Sequence, residues 1–229
     1  MTSANNIIRN DNSYSNTQYG IYIDSSSNAL IDSVQTHDNA SVGIYFSSSP
    51  YGIVNNAQSY NNSSVGIYFY YSSTGTVNNS WSHNDSYGIY FDNSSFGTVN
   101  NSQVANSVNN GIDFNVSSNG VVNNAQSYNN TGIGIYFYTA PYGVVNNTQS
   151  YNNSTGISFN ASSYGVLNNV QSYNNNGYGI SVVNSPSGVV NNIQSYNNAS
   201  YGLYVDAAST NSKYYGAIKL FGNTPSNFG

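Results

Sequence analysis

The 229-residue sequence predicts an all-β fold, a parallel β-helix of about nine coils. Three observations carry that prediction. A unit of 22 or 23 residues copies itself along the chain, apolar residues fall two apart within each copy, and only 5% of residues are charged. The segment "NNAQSYNNSSVGIYFYYSST" at Asn55, for example, returns at Asn123 as "NNAQSYNNTGIGIYFYTAPY". Units start at Asn6, Ala29, Gly52, Gly75, Gly97, Gly120, Gly143, Gly165 and Gly188, and the ninth closes at Thr210. Repeats this short cannot close a core alone and must stack on one another. Residues 1–210 are therefore assigned to the solenoid, and 211–229 ("NSKYYGAIKLFGNTPSNFG"), where the pattern breaks, to a C-terminal cap or tail.

Each unit contains three short strands. The first, around "GVVN", places one apolar residue inward in every copy, from Ile8, Ile31 and Val54 to Val190. The second is "AQSY". The third, "GIYF", carries Ile21, Ile44, Ile67 and their successors, and two residues later Ile23, Phe46, Phe69, Phe91, Phe114, Phe137, Phe159, Val182 and Val205. Apolar side chains two apart are the period of a strand, and β-branched and aromatic residues suit one. Stacking in register sets like residues roughly 4.8 Å apart. Two asparagine columns, one from Asn56 to Asn192 and one from Asn61 to Asn197, fit this arrangement. Their amides can bond from rung to rung, and Asn tolerates the left-handed backbone of a corner.

The pattern V-N-N-x4-N-N-x3-G-I-x-F, running over residues 6–210, resembles the right-handed parallel β-helix repeat proteins of the pectin-lyase-like superfamily. The resemblance implies a right-handed, single-stranded helix. It also implies a choice among polysaccharide lyases and hydrolases, sugar epimerases, a copper-maturation accessory protein, phage tailspikes and surface proteins, which fold alone does not make. Lyases of this family use an acidic calcium site with an Arg or Lys base. Here the basic residues are Arg9, Lys213 and Lys219, in the first coil and the tail, which argues against that chemistry.

Composition narrows the field further. A net charge of −5 without a basic cluster gives no footprint for nucleic acid or an anionic membrane. No apolar run is long enough to span a bilayer, and "MTSANNIIRNDNS" lacks the parts of a signal peptide. Without cysteine there is neither a disulfide framework nor a thiolate. His37 and His83 share a column two coils apart, roughly 9.6 Å, too far to hold one metal ion. No metal or cofactor is expected. Glycoside hydrolysis needs two carboxylates, about 5 Å apart or about 6.5–9.5 Å apart. Asp92 and Asp113, expected to face outward on adjacent coils roughly 8 Å apart, are the best pair. No apolar pocket is expected to raise either pKa, so catalysis is not expected.

What remains is tyrosine. Tyr22, Tyr45, Tyr68, Tyr90, Tyr136 and Tyr204 form one outward column, and Tyr60, Tyr128, Tyr151, Tyr173 and Tyr196 a second, with Trp81 in the neighbouring glutamine ladder. Aromatic stripes on a rod mark a candidate interaction surface. Glycosylation sequons at Asn39, Asn61, Asn78, Asn84, Asn115, Asn129, Asn146, Asn160 and Asn198 fit a secreted glycoprotein. The first coil begins at residue 6, so the N-terminal end is expected to be an open row of strand edges. The expectation is a non-catalytic extracellular or cell-surface solenoid that self-assembles into a filament, sheath or layer. The alternative is a carbohydrate-binding or carbohydrate-processing β-helix module with glycans as partners.

Overall fold

Every copy of the repeat becomes one turn of a right-handed parallel β-solenoid in the computed structural model, which describes residues 5–224. The outermost residues of the two predicted segments, 1–4 and 225–229, lie outside the described residues. Among the described residues there is no helix. The three predicted strands recur in the first eight coils, for example Val121–Asn123, Gln126–Tyr128 and Ile133–Tyr138, and in the ninth the first two run together as Val189–Tyr196. Pairing is parallel throughout the described residues and in register from coil to coil, with a shift only at the last strand between Asn191 and Ile193: Val99 meets Val122, which meets Val145, and Phe91 meets Phe114, which meets Phe137. Lys213–Phe221 adds one more parallel strand above Val189–Tyr196.

The core is a set of ladders. Phe46, Phe69, Phe91, Phe114, Phe137 and Phe159 stack with ring centroids 4.6–4.8 Å apart and nearly parallel planes. The isoleucine column of the same strands is equally buried. Removing one ring from such a stack costs roughly 3–5 kcal/mol, since rigid rungs on either side cannot collapse into the hole.

Glycine and the corners divide the work in a way the sequence alone does not reveal. The residue before each unit-opening glycine, not the glycine, takes the left-handed conformation: Tyr51, Thr74, Phe96, Asn119, Tyr142 and Tyr164 all have φ near 60°. The glycine is required for space. A Cβ on Gly120 would lie 2.5 Å from the Phe114 ring. The predicted Asn56 and Asn61 columns do occupy left-handed corners, with φ between 49° and 58° from Asn56 to Asn197.

Most interior polar groups are paired with the same regularity, Ser107 Oγ and Asp113 Oδ1 being buried without a partner. Ser49, Ser72, Ser94 and Ser117 are buried, and each accepts from or donates to the backbone of adjacent coils. Beside the exposed Asn61 column runs a buried one. Asn16 Nδ2 donates to Asn39 Oδ1 at 2.9 Å, Asn39 to Asn62 at 2.9 Å, Asn130 to Asn153 at 2.9 Å, and Asn175 to Asn198 at 2.8 Å. Asn39 and Asn198, two of the predicted sequons, are thus consumed inside the fold.

Candidate functional site

The outward side of the "GIYF" strands holds the strongest cluster of chemical groups. Tyr22, Tyr45, Tyr68 and Tyr90 stack with centroids 5.0–5.2 Å apart, and Tyr19 and Tyr87 pack beside the column. At the next rung the ring is missing: Asp113 pairs with Tyr90 below and Tyr136 above. Ser158 and Ser181 then break the column before Tyr204. Of the predicted interaction residues only Tyr22 and Trp81 are well exposed; the others are half-buried, edge outward.

Strand alternation turns Asp113 outward, as expected, but the side chain is buried, and so the expectation that it is exposed is corrected. The rings of the flanking coils close over it, leaving 5% exposure. The expectation that nothing raises its pKa is corrected with it. Burial lifts the carboxyl from 3.8 to about 7, a hydrogen bond from Asn110 opposes the rise, and the charge of Asp92 adds to it. Asn110 Nδ2 donates to Asp113 Oδ2 at 2.8 Å, while Oδ1 is buried without a partner. Asp92 is better satisfied. Its Oδ1 accepts from Asn93 and Asn115, each at 2.9 Å, and its Oδ2 from the Tyr68 hydroxyl at 3.3 Å. Desolvation also drives the Tyr68 and Tyr90 hydroxyls above their ordinary range, with Asp92 next in effect at Tyr68 and Asp113 at Tyr90.

The second aromatic column runs along the "QSY" strands. Tyr14, His37, Tyr60 and His83 stack at 4.7–5.1 Å, and after Ala105 the stack resumes through Tyr128, Tyr151, Tyr173 and Tyr196 to Phe221. Both histidines sit inside this stack with Tyr60 between them, and Trp81 tilts onto His83 at 4.0 Å. Among the described residues no group of three or more His, Cys, Asp or Glu could hold a metal. At the corner between the first two strands, asparagines from Asn55 to Asn168 line a groove of about 620 Å³. Its inner row is an amide ladder from Asn55 to Asn146, with Asn78 donating to Asn55 at 2.8 Å and Asn100 to Asn78 at 2.9 Å.

A second buried carboxyl, Asp85, was not singled out by the sequence. It takes a place in the interior asparagine ladder, where its Oδ1 accepts from the backbone N–H and the amide of Asn62 at 2.8 and 3.0 Å. In neighbouring coils the amide also donates to a serine, which donates to a glycine carbonyl: Asn62 to Ser59 to Gly66, and Asn130 to Ser127 to Gly134. Asp85 reproduces this chain only when protonated, because Ser82 Oγ lies 2.9 Å from Asp85 Oδ2 and 3.0 Å from the Gly88 carbonyl and has one proton for the two. Burial accordingly raises its pKa to about 7, against three opposing hydrogen bonds.

The family described as the right handed beta helix region matches residues 1–125 and again 84–217. The chain belongs to that family. No curated protein matches it by sequence. Among solved right-handed β-helices, the A-module of Azotobacter vinelandii mannuronan C-5 epimerase AlgE4 superposes with a TM-score of 0.70 at 10% identity, covering 97% of this chain and 80% of the module. Tailspike protein 2 of an Escherichia coli bacteriophage gives 0.71 at 12% identity, covering 93% of this chain and 40% of the tailspike. Pectate lyase Pel9A gives 0.65 at 12% identity, covering 98% of this chain and 69% of the lyase. At these identities the likeness establishes the β-helix fold and no activity.

Asp85 generates a pH prediction. Its carboxyl ionises near 4 in the unfolded chain and near 7 in the folded one, so stability is full below pH 4 and falls as pH rises to 7. Asp85→Asn restores the amide that the same column carries at Asn62 and Asn130 and removes that loss. Thermal unfolding from pH 4 to pH 9 should show the variant melting roughly 5–10 °C above wild type at pH 8 and level with it at pH 4. Parallel curves would mean that Asp85 does not titrate inside the fold.

Proposed function

We propose that this chain is a non-catalytic carbohydrate-binding β-solenoid of the cell surface or extracellular space, with the tyrosine face of its "GIYF" strands as the contact. The observation that carries the reading is the interrupted column, in which aromatic faces and edges surround two carboxyl groups and their amide donors, Asn110 and Asn115. Sugars present apolar C–H faces that lie on aromatic rings and hydroxyls that exchange hydrogen bonds with carboxylates and amides. The solved structures it resembles include an epimerase of mannuronan, a pectate lyase and a periplasmic alginate epimerase, which supports a carbohydrate setting and an export route. Binding is favoured over cleavage because both oxygens of Asp92 already accept side-chain hydrogen bonds, leaving that group poorly placed to activate water.

Self-association into a filament or layer is the second reading. It is favoured by a row of exposed corner aromatics, Tyr51, Phe96, Tyr142 and Tyr164, which are 50–56% exposed on a chain with few charges to repel a neighbour. Sedimentation of the purified chain, with Tyr142→Lys and Tyr164→Lys together as the control, separates the two readings. Assembly that the double variant dissolves supports association through this row. A wild type that stays monomeric at high concentration removes the reading.

For the binding reading, the measurement is a panel of immobilised polysaccharides probed with wild type and Tyr90→Ala. Wild type should retain at least one glycan, and the variant should lose about ten-fold in affinity at unchanged strand content by circular dichroism. Equal retention of the two proteins, or retention of neither, contradicts it.

A further inference from the structure

We infer that the rung occupied by Asp113 is a binding slot for a protonated amine, and that the glycan taken by this face is one with free amino groups, an amino sugar that is not N-acetylated. The inference rests on the carbohydrate-binding reading and adds the charge and identity of the recognised group.

The column lacks a ring at this rung. Below it, each position of the column holds a tyrosine ring with its face toward the next, as Tyr45 on Tyr68 at 5.0 Å and 9°, and Tyr68 on Tyr90 at 5.1 Å and 10°. At Asp113 the ring is replaced by a carboxyl, so Tyr90 and Tyr136 stand two rungs apart with the buried Asp113 side chain between them. Two rungs span roughly 9.6 Å. A group midway between the rings is therefore about 5 Å from each, inside the reach of a cation–π contact of about 6 Å. Two aromatic faces with a carboxyl as the floor are the elements of an ammonium cage.

The floor has a specific deficit. Asp113 Oδ2 is held by Asn110, but Oδ1 is buried and accepts no hydrogen bond. Its titratable neighbours are Tyr90 and Tyr136 on the flanking strands, Tyr87 beside Tyr90, and Asp92, none of which brings positive charge. Arg9, Lys213 and Lys219 belong to the two ends of the chain. An anionic uronate would meet two carboxyl groups here and be repelled. An ammonium supplies the missing donors to Oδ1 and offsets the cost of burying its charge. Entry needs one ring to move, and Tyr136 is the freer of the two: Ser158 follows it in the column, so no ring stacks above it. Tyr136 is held by a hydrogen bond of 3.3 Å from Asn160 to its hydroxyl and by the tilted ring of Tyr138 at 5.9 Å.

Isothermal titration with a glucosamine oligosaccharide, its fully N-acetylated counterpart and Nα-acetyl-lysine amide tests the inference on wild type, Asp113→Asn and Asp113→Tyr. The tyrosine variant restores the ring carried by the rungs on either side, which keeps it folded while the slot is filled. Wild type should prefer the free-amine sugar over the N-acetylated one by at least about ten-fold, and both variants should lose the preference. In wild type, saturation with the free-amine sugar should also lower the titration midpoint of the Asp113 carboxyl, read by NMR, because a bound ammonium favours the ionised form. Equal binding of the two sugars overturns the amine inference and leaves the carbohydrate reading standing. Binding of the lysine derivative as tight as that of the sugar overturns the assignment to a glycan. Binding of none of the three overturns both.

Discussion

Everything in this protein depends on one constraint, the exact superposition of each coil on the last. A parallel ladder at roughly 4.8 Å per rung satisfies the backbone of every strand with the coils above and below it. It also forces each side chain to face its own counterpart. A buried phenylalanine then stacks on a phenylalanine, an asparagine bonds an asparagine, and a serine closes the same turn in coil after coil. The constraint explains a composition that would otherwise suggest disorder. Asn and Ser, poor residues for an ordinary core, here find partners of matching chemistry at a fixed spacing.

Because the ladder is set by inward residues and corners, the outward positions are free to depart from it. Where they do, the departure changes the physics locally. Replacing a tyrosine by aspartate at position 113 leaves the backbone register undisturbed, yet creates a buried carboxyl between aromatic walls. Replacing an interior asparagine by aspartate at position 85 leaves the hydrogen-bond geometry nearly intact and makes it dependent on a proton. The two substitutions fall in adjacent coils, so the middle of the rod carries two carboxyls whose pKa burial raises.

The strands, their register and the buried isoleucine, valine and phenylalanine columns were legible in the sequence, because period two within a copied unit permits only one phase. The corner role of Asn56 and Asn61 was legible for the same reason. The interior ladder from Asn16 to Asn198 was hidden by its neighbour. In each "NN" pair beside the "QSY" strand one amide takes the left-handed corner and the other turns inward, and spelling does not distinguish them. The state of Asp113 was illegible for a different reason. Its burial is produced by tyrosines a whole coil away in each direction, and its pKa by what those rings exclude rather than by any residue beside it in the chain. The left-handed residues before each unit-opening glycine were missed because glycine is the expected holder of that conformation, whereas here its smallness serves the phenylalanine ring.

The register constraint is tested most directly by deletion. Removing Gly143–Tyr164, one whole coil, joins Tyr142 to Gly165 and recreates the junction found at Tyr164–Gly165. Removing residues 143–153 instead takes out part of a coil and sets unlike residues against one another. Circular dichroism with thermal melting should show the whole-coil variant folded, rich in strand and cooperative in its transition, and the part-coil variant unfolded or aggregated. A whole-coil deletion that fails to fold, or a part-coil deletion that folds as well, would contradict the claim that like-on-like stacking holds this protein together.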